Sequence, residues 1–243
     1  KHGGIFFVTC SRWLAGEARR SRLLEGRKVT AIPNPIDIRT FCPGDRAEAR
    51  RILGLPEGKR LALFVAQRVS NVNKGVSYLI EACSRLVKSC PDLDGNFGVV
   101  TLGGCGDELA GSFDVPLYSL GYVNDVRKIV CAYRAADLFI MPSLSENLPN
   151  TIMEAMACGV PCVGFNTGGI PEMIDHRKNG YVAAYKDAAD LAEGMRWTLV
   201  EADYGALGRE AVRKVVSSYS QQSVALKYIE VYNQAIAFRH YAL

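Results

Sequence analysis

The stretch Pro142–Pro161, PSLSENLPNTIMEAMACGVP, decides how the rest of the chain is read. It places a carboxylate, Glu146, in a Ser/Asn/Pro-rich loop directly after an apolar run. A helix follows and carries a second carboxylate, Glu154. Ser145, Asn147, Pro149 and Asn150 are helix-start residues, with Pro149 or Asn150 near the first turn. Gly159 and Pro161 stop the helix. The free N–H groups of such a helix start attract a phosphate or another anion. Glu146 stands at the mouth of a crevice and Glu154 about a turn inside the helix, so the two acids do not share a helical face. That arrangement suits a molecule with a diphosphate in the middle and hydroxyl groups at both ends. Two solvated glutamates on a plain strand–loop–helix unit fit the same letters, and spacing alone does not choose between the readings.

Outward from this stretch the chain alternates strands and helices. Gly4–Thr9 reads as a buried strand, and a helix capped by Ser11 runs through Trp13, Leu14, Leu23 and Leu24. Its basic face contacts a membrane surface or acidic partner, or is simply solvated, the plainer reading. Val29–Ile32 is a short strand, and the prolines at 33, 35 and 43 mark a linker. Strands follow at Leu61–Ala66, Phe97–Leu102, Leu117–Leu120, Asp137–Met141, Pro161–Phe165 and Tyr181–Tyr185. Helices fill 46–53, 76–90, 124–136, 187–200, 205–217 and 221–240, with a short one after Pro171. Continuously apolar strands between helices predict an α/β fold, a Rossmann-like parallel sheet covered on both faces. Ligands of such sheets bind beyond the carboxyl ends of the strands. The loops 67–75, 103–108, 121–125, 142–150 and 166–172 all lie at such ends.

These loops carry the other candidates. Arg68 and Lys74 are suited to a diphosphate, since arginine forks onto phosphate oxygens and lysine is a compact point charge. A pair of surface bases is the competing reading. Gly104-Cys105-Gly106 resembles the start of a dinucleotide fingerprint, but Leu109 occupies the last glycine position, so a tight turn explains it. Asp107 and Glu108 read as metal ligands or, more simply, as a solvated turn. Thr167-Gly168-Gly169 before Glu172 either lines the pocket or only satisfies a turn.

Composition bounds the classes. The 243 residues carry 29 basic and 25 acidic side chains, a net +4 too weak to argue for nucleic acid. Eight cysteines form no C-x-x-C pair, and three histidines cannot complete a zinc site. The thiols therefore read as small buried apolar residues of a reducing cytoplasm. No run reaches the ~18 apolar residues of a membrane helix, and no signal peptide is evident. The chain starts at Lys1 without Met, which suggests that something has been removed.

IPNPID (32–37), Arg68…Lys74-Gly75, LGYV (120–123), Glu146-x7-Glu154, AMACGVPCV (155–163), GGIPE and NGY occur together in this order. In this the chain resembles the C-terminal, donor-binding half of a family 4 glycosyltransferase of GT-B fold, over residues 5 to 240. The resemblance implies transfer from a nucleotide-diphosphate sugar with retention of configuration and without a required metal or other cofactor. Arg68 and Lys74 would hold the diphosphate, and Glu154 the ribose hydroxyls. Glu146, the catalytic residue, would face the donor sugar and help steady the positive charge developing at its anomeric carbon. Asn147, Leu148, Asn150 and Thr151 would contact sugar and phosphates, and Gly121, Tyr122 and Val123 would border the base. It further implies that 1–33 is a remnant of the N-terminal acceptor domain with its linker, 34–220 the donor domain and 221–243 a C-terminal helix. A chain so truncated is expected to bind donor but transfer poorly, and to self-associate through the uncovered face. The acceptor is a polysaccharide, a lipid-linked glycan or a small glycoside, with peripheral membrane contact in the full-length protein. A non-catalytic nucleotide-sugar-binding module and a GT-B sugar epimerase or phosphorylase are the alternative readings, with a nicotinamide dehydrogenase behind them.

Overall fold

The computed structural model describes residues 5–241; the first three residues of the chain, Gly4 of the expected first strand, and residues 242–243 of the expected C-terminal helix lie outside them. Strand β1 (Phe7–Thr9) leads into α1 (Arg12–Arg20) and β2 (Val29–Ala31). The two strands pair in parallel as a small sheet of their own. The helix expected to reach Leu24 stops at Arg20. Ser21 turns extended (φ −73°, ψ 130°), and its hydroxyl accepts from the Leu23 N–H to start a separate single turn, Arg22–Leu24. Leu23 is 89% exposed, so no core holds that end in the helix.

The main sheet follows. Helix α2 (Arg46–Leu53) precedes β3 (Arg60–Arg68), and α3 (Val76–Ser89) returns to β4 (Phe97–Gly104) and β5 (Leu117–Ser119). Helix α4 (Val126–Ala135) leads to β6 (Leu138–Met141), α5 (Asn150–Ala157) to β7 (Cys162–Phe165), and the short α6 (Ile170–Met173) to β8 (Gly180–Ala183). Helices α7 (Ala188–Arg196), α8 (Tyr204–Tyr219) and α9 (Gln221–Tyr241) close the chain. The stretch expected as one helix to residue 200 changes pitch after α7. Trp197–Glu201 winds as a wider turn, closed by the Ala202 N–H on the Trp197 carbonyl at 2.9 Å.

The six strands are all parallel, in the order β5-β4-β3-β6-β7-β8. The chain builds outward from β3 to β5, then crosses back to lay β6 beside β3 and builds the other way. The strand order therefore reverses between β3 and β6, and a crevice opens at their carboxyl ends. Alternation along β3 feeds two cores. Leu61 and Leu63 pack with Tyr133, Phe139, Ile152 and Met156 under α4, α5 and α8. Ala62 and Phe64 pack with Leu79, Leu86, Leu191 and Met195 under α3 and α7. Both faces of the strand are thus dry, which is why it reads as an unbroken apolar run. Helix α5 is short for an isolated helix. Its fully buried Ile152, Met153 and Met156 hold it, at about 1.5–3 kcal/mol each.

At the opposite, amino ends of the strands, Asp137 is buried and accepts from Arg46 at 2.5 Å, Arg50 at 2.7 Å, Arg60 at 3.4 Å and the Leu61 N–H at 2.8 Å. Arg50 is also buried, and its other N–H groups reach the carbonyls of Ala135, Glu57 and Lys59. This network docks α2 beneath the sheet.

The cysteines correct one expectation. Only Cys83, Cys158 and Cys162 are buried; Cys10, Cys42, Cys90, Cys105 and Cys131 are half-exposed, because the first four lie in loops or helix caps. Burial pushes the Cys158 thiol up to about 12 and raises Cys83 and Cys162 as well. No helix among the described residues is long and apolar enough to cross a membrane.

Removing Asp137 leaves Arg50 buried without a counter-charge. Asp137→Ala is expected to lower unfolding free energy by about 3–5 kcal/mol. Urea denaturation checks it, and a loss below ~1 kcal/mol would show that the network contributes little.

Candidate functional site

The crevice is built by three loops pressed together through glycines. Loop 69–75, after β3, ends in a tight turn (Val72–Lys74) and Gly75, whose φ of 71° suits glycine. A Cβ there would fall on the carbonyl oxygen of Pro142, so this loop lies directly on the β6 loop. The Leu144 N–H donates across to the Asn73 carbonyl at 2.9 Å. From the other side, Cβ atoms on Gly168 and Gly169 would fall on the carbonyl oxygens of Glu146 and Asn147. The loop that carries Glu146 is thus clamped between two neighbours, at Pro142 and Leu144 on one side and at Glu146 and Asn147 on the other. The Lys74 ammonium meets the Glu146 carboxylate at 2.5 Å, with the two side chains 33% and 14% exposed.

Helix α5 begins beside this pair. Pro149 makes no side-chain capping bond, and the first turn holds no acid, so the positive helix end is left to the crevice. Leu148 is buried, Thr151 half-buried and Asn150 exposed, with the Asn34 amide donating to Asn150 Oδ1 at 3.4 Å. The Asn147 side chain turns toward the N-terminal segment. It accepts from Ser11 Oγ at 2.5 Å and donates to Cys10 Sγ at 2.8 Å. One turn into the helix, Glu154 Oε2 accepts from the Tyr133 hydroxyl at 2.5 Å. Burial raises the Glu154 carboxyl above the usual carboxylate value, against the opposing pull of that hydrogen bond.

Arg68 stands apart from the Lys74–Glu146 pair. Its guanidinium lies on Glu108 at 3.3 Å and on Ser70 at 3.4 Å, well exposed. Hydrogen bonds from Ser70 and Cys105, helped by Arg68, hold Glu108 below its ordinary value. Gly121 has φ of 65°, and its carbonyl accepts the Gly103 N–H at 2.8 Å. Tyr122 beside it is exposed, and Val123 packs on the core. His176 Nδ1 accepts from the Val182 N–H at 3.2 Å, a structural role. Among the described residues no three His, Cys, Asp or Glu side chains gather as a metal site.

Residues 59–201 match the family described as Glycosyl transferases group 1. The chain belongs to this family. It is 29% identical over 228 residues to a D-inositol 3-phosphate glycosyltransferase from Saccharomonospora viridis, covering 88% of this chain and 52% of that protein. The chain thus spans about half the length of the curated relatives it matches. Among solved structures it is similar to sucrose-phosphate synthase from Thermosynechococcus elongatus, with a TM-score of 0.79 at 22% identity over 95% of this chain and 58% of that one. It is also similar to Anabaena HepE in complex with UDP and glucose, with a TM-score of 0.75 at 20% identity over 94% and 62% of the two chains. These two likenesses show the fold: a Rossmann-like, six-stranded parallel sheet of the kind found in GT-B proteins.

Two features of this family member escape a sequence reading. Tyr133 sits on the apolar face of α4 and reads as core, yet its hydroxyl orients Glu154. Glu172, in the GGIPE motif, caps α1. It accepts from the backbone N–H groups of Arg12 at 2.9 Å and Trp13 at 2.7 Å and from the Arg12 guanidinium at 3.2 Å. Its partner lies 160 residues away, so no local signal announces it.

Because its folded value is raised, Glu154 binds a proton more readily in the folded than in the unfolded chain. Its contribution to stability therefore falls as pH rises from the ordinary carboxylate value through the raised one. Glu154→Gln still accepts from Tyr133 and removes the buried charge. Its thermal midpoint at neutral pH is expected to equal or exceed that of the parent, and a fall of several degrees would contradict this account.

Proposed function

We propose that this chain is the donor-binding half of a retaining, family 4 glycosyltransferase that moves a sugar from a nucleotide-diphosphate sugar to an acceptor hydroxyl. The observation that carries the reading is the Lys74–Glu146 ion pair at the reversal of strand order, beside a helix start that lacks its own cap. A diphosphate entering there meets the α5 N–H groups and competes with Glu146 for Lys74. Glu146 is then released toward the sugar, where it steadies the positive charge developing at the anomeric carbon. Lys74, with Arg68 swung over from Glu108, stabilises the charge on the departing diphosphate. Tyr133 holds Glu154 Oε2, which leaves Oε1 for the ribose hydroxyls. The backbone of Asn147–Thr151, with Leu148 and Asn150, lines the sugar and phosphates, and Gly121–Val123 borders the base. The chemistry is assigned to these side chains, without a metal or other cofactor.

In this reading residues 34–220 are the donor domain. Residues 1–33, whose β1 and β2 pair with each other among the described residues, belong with the acceptor lobe. Residues 221–243, helical over Gln221–Tyr241, are the connecting segment. The acceptor is a sugar or polyol hydroxyl, on a polysaccharide, a lipid-linked glycan or a small glycoside. The free thiols accord with the cytoplasm as the place of work. HepE was solved with UDP and glucose, so UDP and UDP-glucose are the first probes.

Calorimetric titration of the chain with UDP, GDP, ADP and their sugar conjugates tests the assignment. Saturable binding to one nucleotide series is expected. Charge-assisted hydrogen bonds contribute about 1.5–3 kcal/mol each, so Lys74→Ala and Arg68→Ala should each weaken binding roughly 10–100-fold. Unchanged affinity in both would remove their phosphate role. Glu154→Gln should weaken the bare nucleoside diphosphate. Glu146→Gln should spare it and impair only the sugar-bearing donor or turnover; the opposite pattern would exchange the two roles.

A further inference from the structure

A cavity of about 500 Å³ lies behind the sheet, between the lead into α2, the C-terminal ends of α4 and α5, and the first turns of α8. It is at the end of α5 remote from Glu146. Eight helical residues at 1.5 Å per residue set the two about 12 Å apart. Four guanidiniums line it, Arg46, Arg134, Arg209 and Arg213. Their charges are not equivalent. Arg46 is paired with Asp137 at 2.5 Å and lies 4.4 Å over the Tyr204 ring. Arg213 is paired with Glu210. Arg134 donates to neutral groups, the Cys42 carbonyl at 2.9 Å and the Cys42 sulfur at 3.1 Å. Arg209 has no hydrogen bond or ion pair among the described residues. The acids of the neighbourhood, Asp45, Asp137, Asp203 and Glu210, do not line the cavity. Two positive charges, on Arg134 and Arg209, are left to face it.

The remaining wall is apolar or small. Tyr204, Val160 and Val212 supply apolar surface. Gly44 makes room for Arg134, since a Cβ there would lie 2.6 Å from Nε. Gly208 lets α8 press onto the turn after α5, where a Cβ would lie 2.7 Å from the Gly159 carbonyl oxygen.

We propose that this cavity is a second binding site, for a small phosphomonoester with an apolar body. The match is one of charge and shape. A phosphomonoester carries about −1.5 to −2 at pH 7, which two guanidiniums balance through charge-assisted hydrogen bonds. Its apolar body lies against Tyr204, Val160 and Val212. The volume falls within the ~300–1,000 Å³ of small-molecule sites. Inorganic phosphate would leave the apolar half unfilled, and a neutral aromatic would leave both guanidiniums unmatched. The site is separate from the donor crevice and stands independently of the donor assignment.

The test is titration of the full chain with phenyl phosphate at low salt, followed by backbone amide NMR, with inorganic phosphate and phenol as controls. The expected result is saturable binding, roughly tenfold or more tighter than either control. Shifts should gather at Tyr204–Val212 rather than at Leu144–Thr151. Arg209→Ala removes an exposed side chain with no partner to lose, so it should leave folding intact and weaken binding roughly three- to tenfold. Equal, weak binding of phosphate and phenyl phosphate overturns the proposal and describes an ordinary solvated basic face. Shifts confined to Leu144–Thr151, or unchanged affinity in Arg209→Ala, overturn it too. Vesicles containing phosphatidic acid present the same group from a lipid; binding to those without binding of free phenyl phosphate overturns the assignment to a soluble ligand.

Discussion

The carbonyl oxygen of Pro142 occupies the place where any side chain at position 75 would stand. Much of the crevice follows from that contact. It brings the loop after β3 against the loop after β6, although the two are far apart in sequence and are joined only by the crossover connection. With the backbones touching, a lysine at 74 and a glutamate at 146 have little choice but to meet. Gly168 and Gly169 repeat the device from the β7 side. The polar site is therefore positioned by backbone packing between loops, and its charges are added to a frame already set. Such a frame suits chemistry in which charge moves and the protein does not.

Much of the architecture was legible because the inner strands of the main sheet, β4, β3, β6 and β7, are dry on both faces over most of their length. Leu61–Phe64 cannot be anything but interior, and the same holds for Leu138–Met141 and Cys162–Phe165. The alternation with amphipathic helices then implied parallel pairing, and the strand ends identified the loops that matter. What failed was local and had a local cause. The hydroxyl of Ser21 competed with the helix that hydrophobic spacing extended to Leu24. The half-exposed thiols failed for a related reason: cysteine in a loop or cap is not held inside by any pattern of its neighbours.

The site was legible in its members and illegible in its contacts. Glu146, Glu154, Lys74 and Arg68 stand out as charged residues at strand ends or helix starts. Nothing in their spacing says that Lys74 rests on Glu146 while Arg68 rests on Glu108. Tyr133 and Glu172 were hidden for opposite reasons. Tyr133 has the spacing of a core residue and carries one polar atom to a carboxylate. Glu172 has the setting of a solvated acid in a glycine-rich motif and instead serves a helix from the other end of the chain.

That cap by Glu172 has a mechanical meaning. Residues 7–31 are held at the start of α1, by Glu172 and by the Ser11–Asn147 bond, and at Lys28, whose ammonium donates to Gln234 of α9 at 2.7 Å. Both contacts at the start of α1 adjoin the same clamped backbone, since Gly169 rests on the Asn147 carbonyl and Glu172 follows three residues later. A torque applied to the small sheet has this short coupling through which to reach the Glu146 loop. The small sheet and the loop that carries Glu146 therefore lean on one shared stretch of backbone.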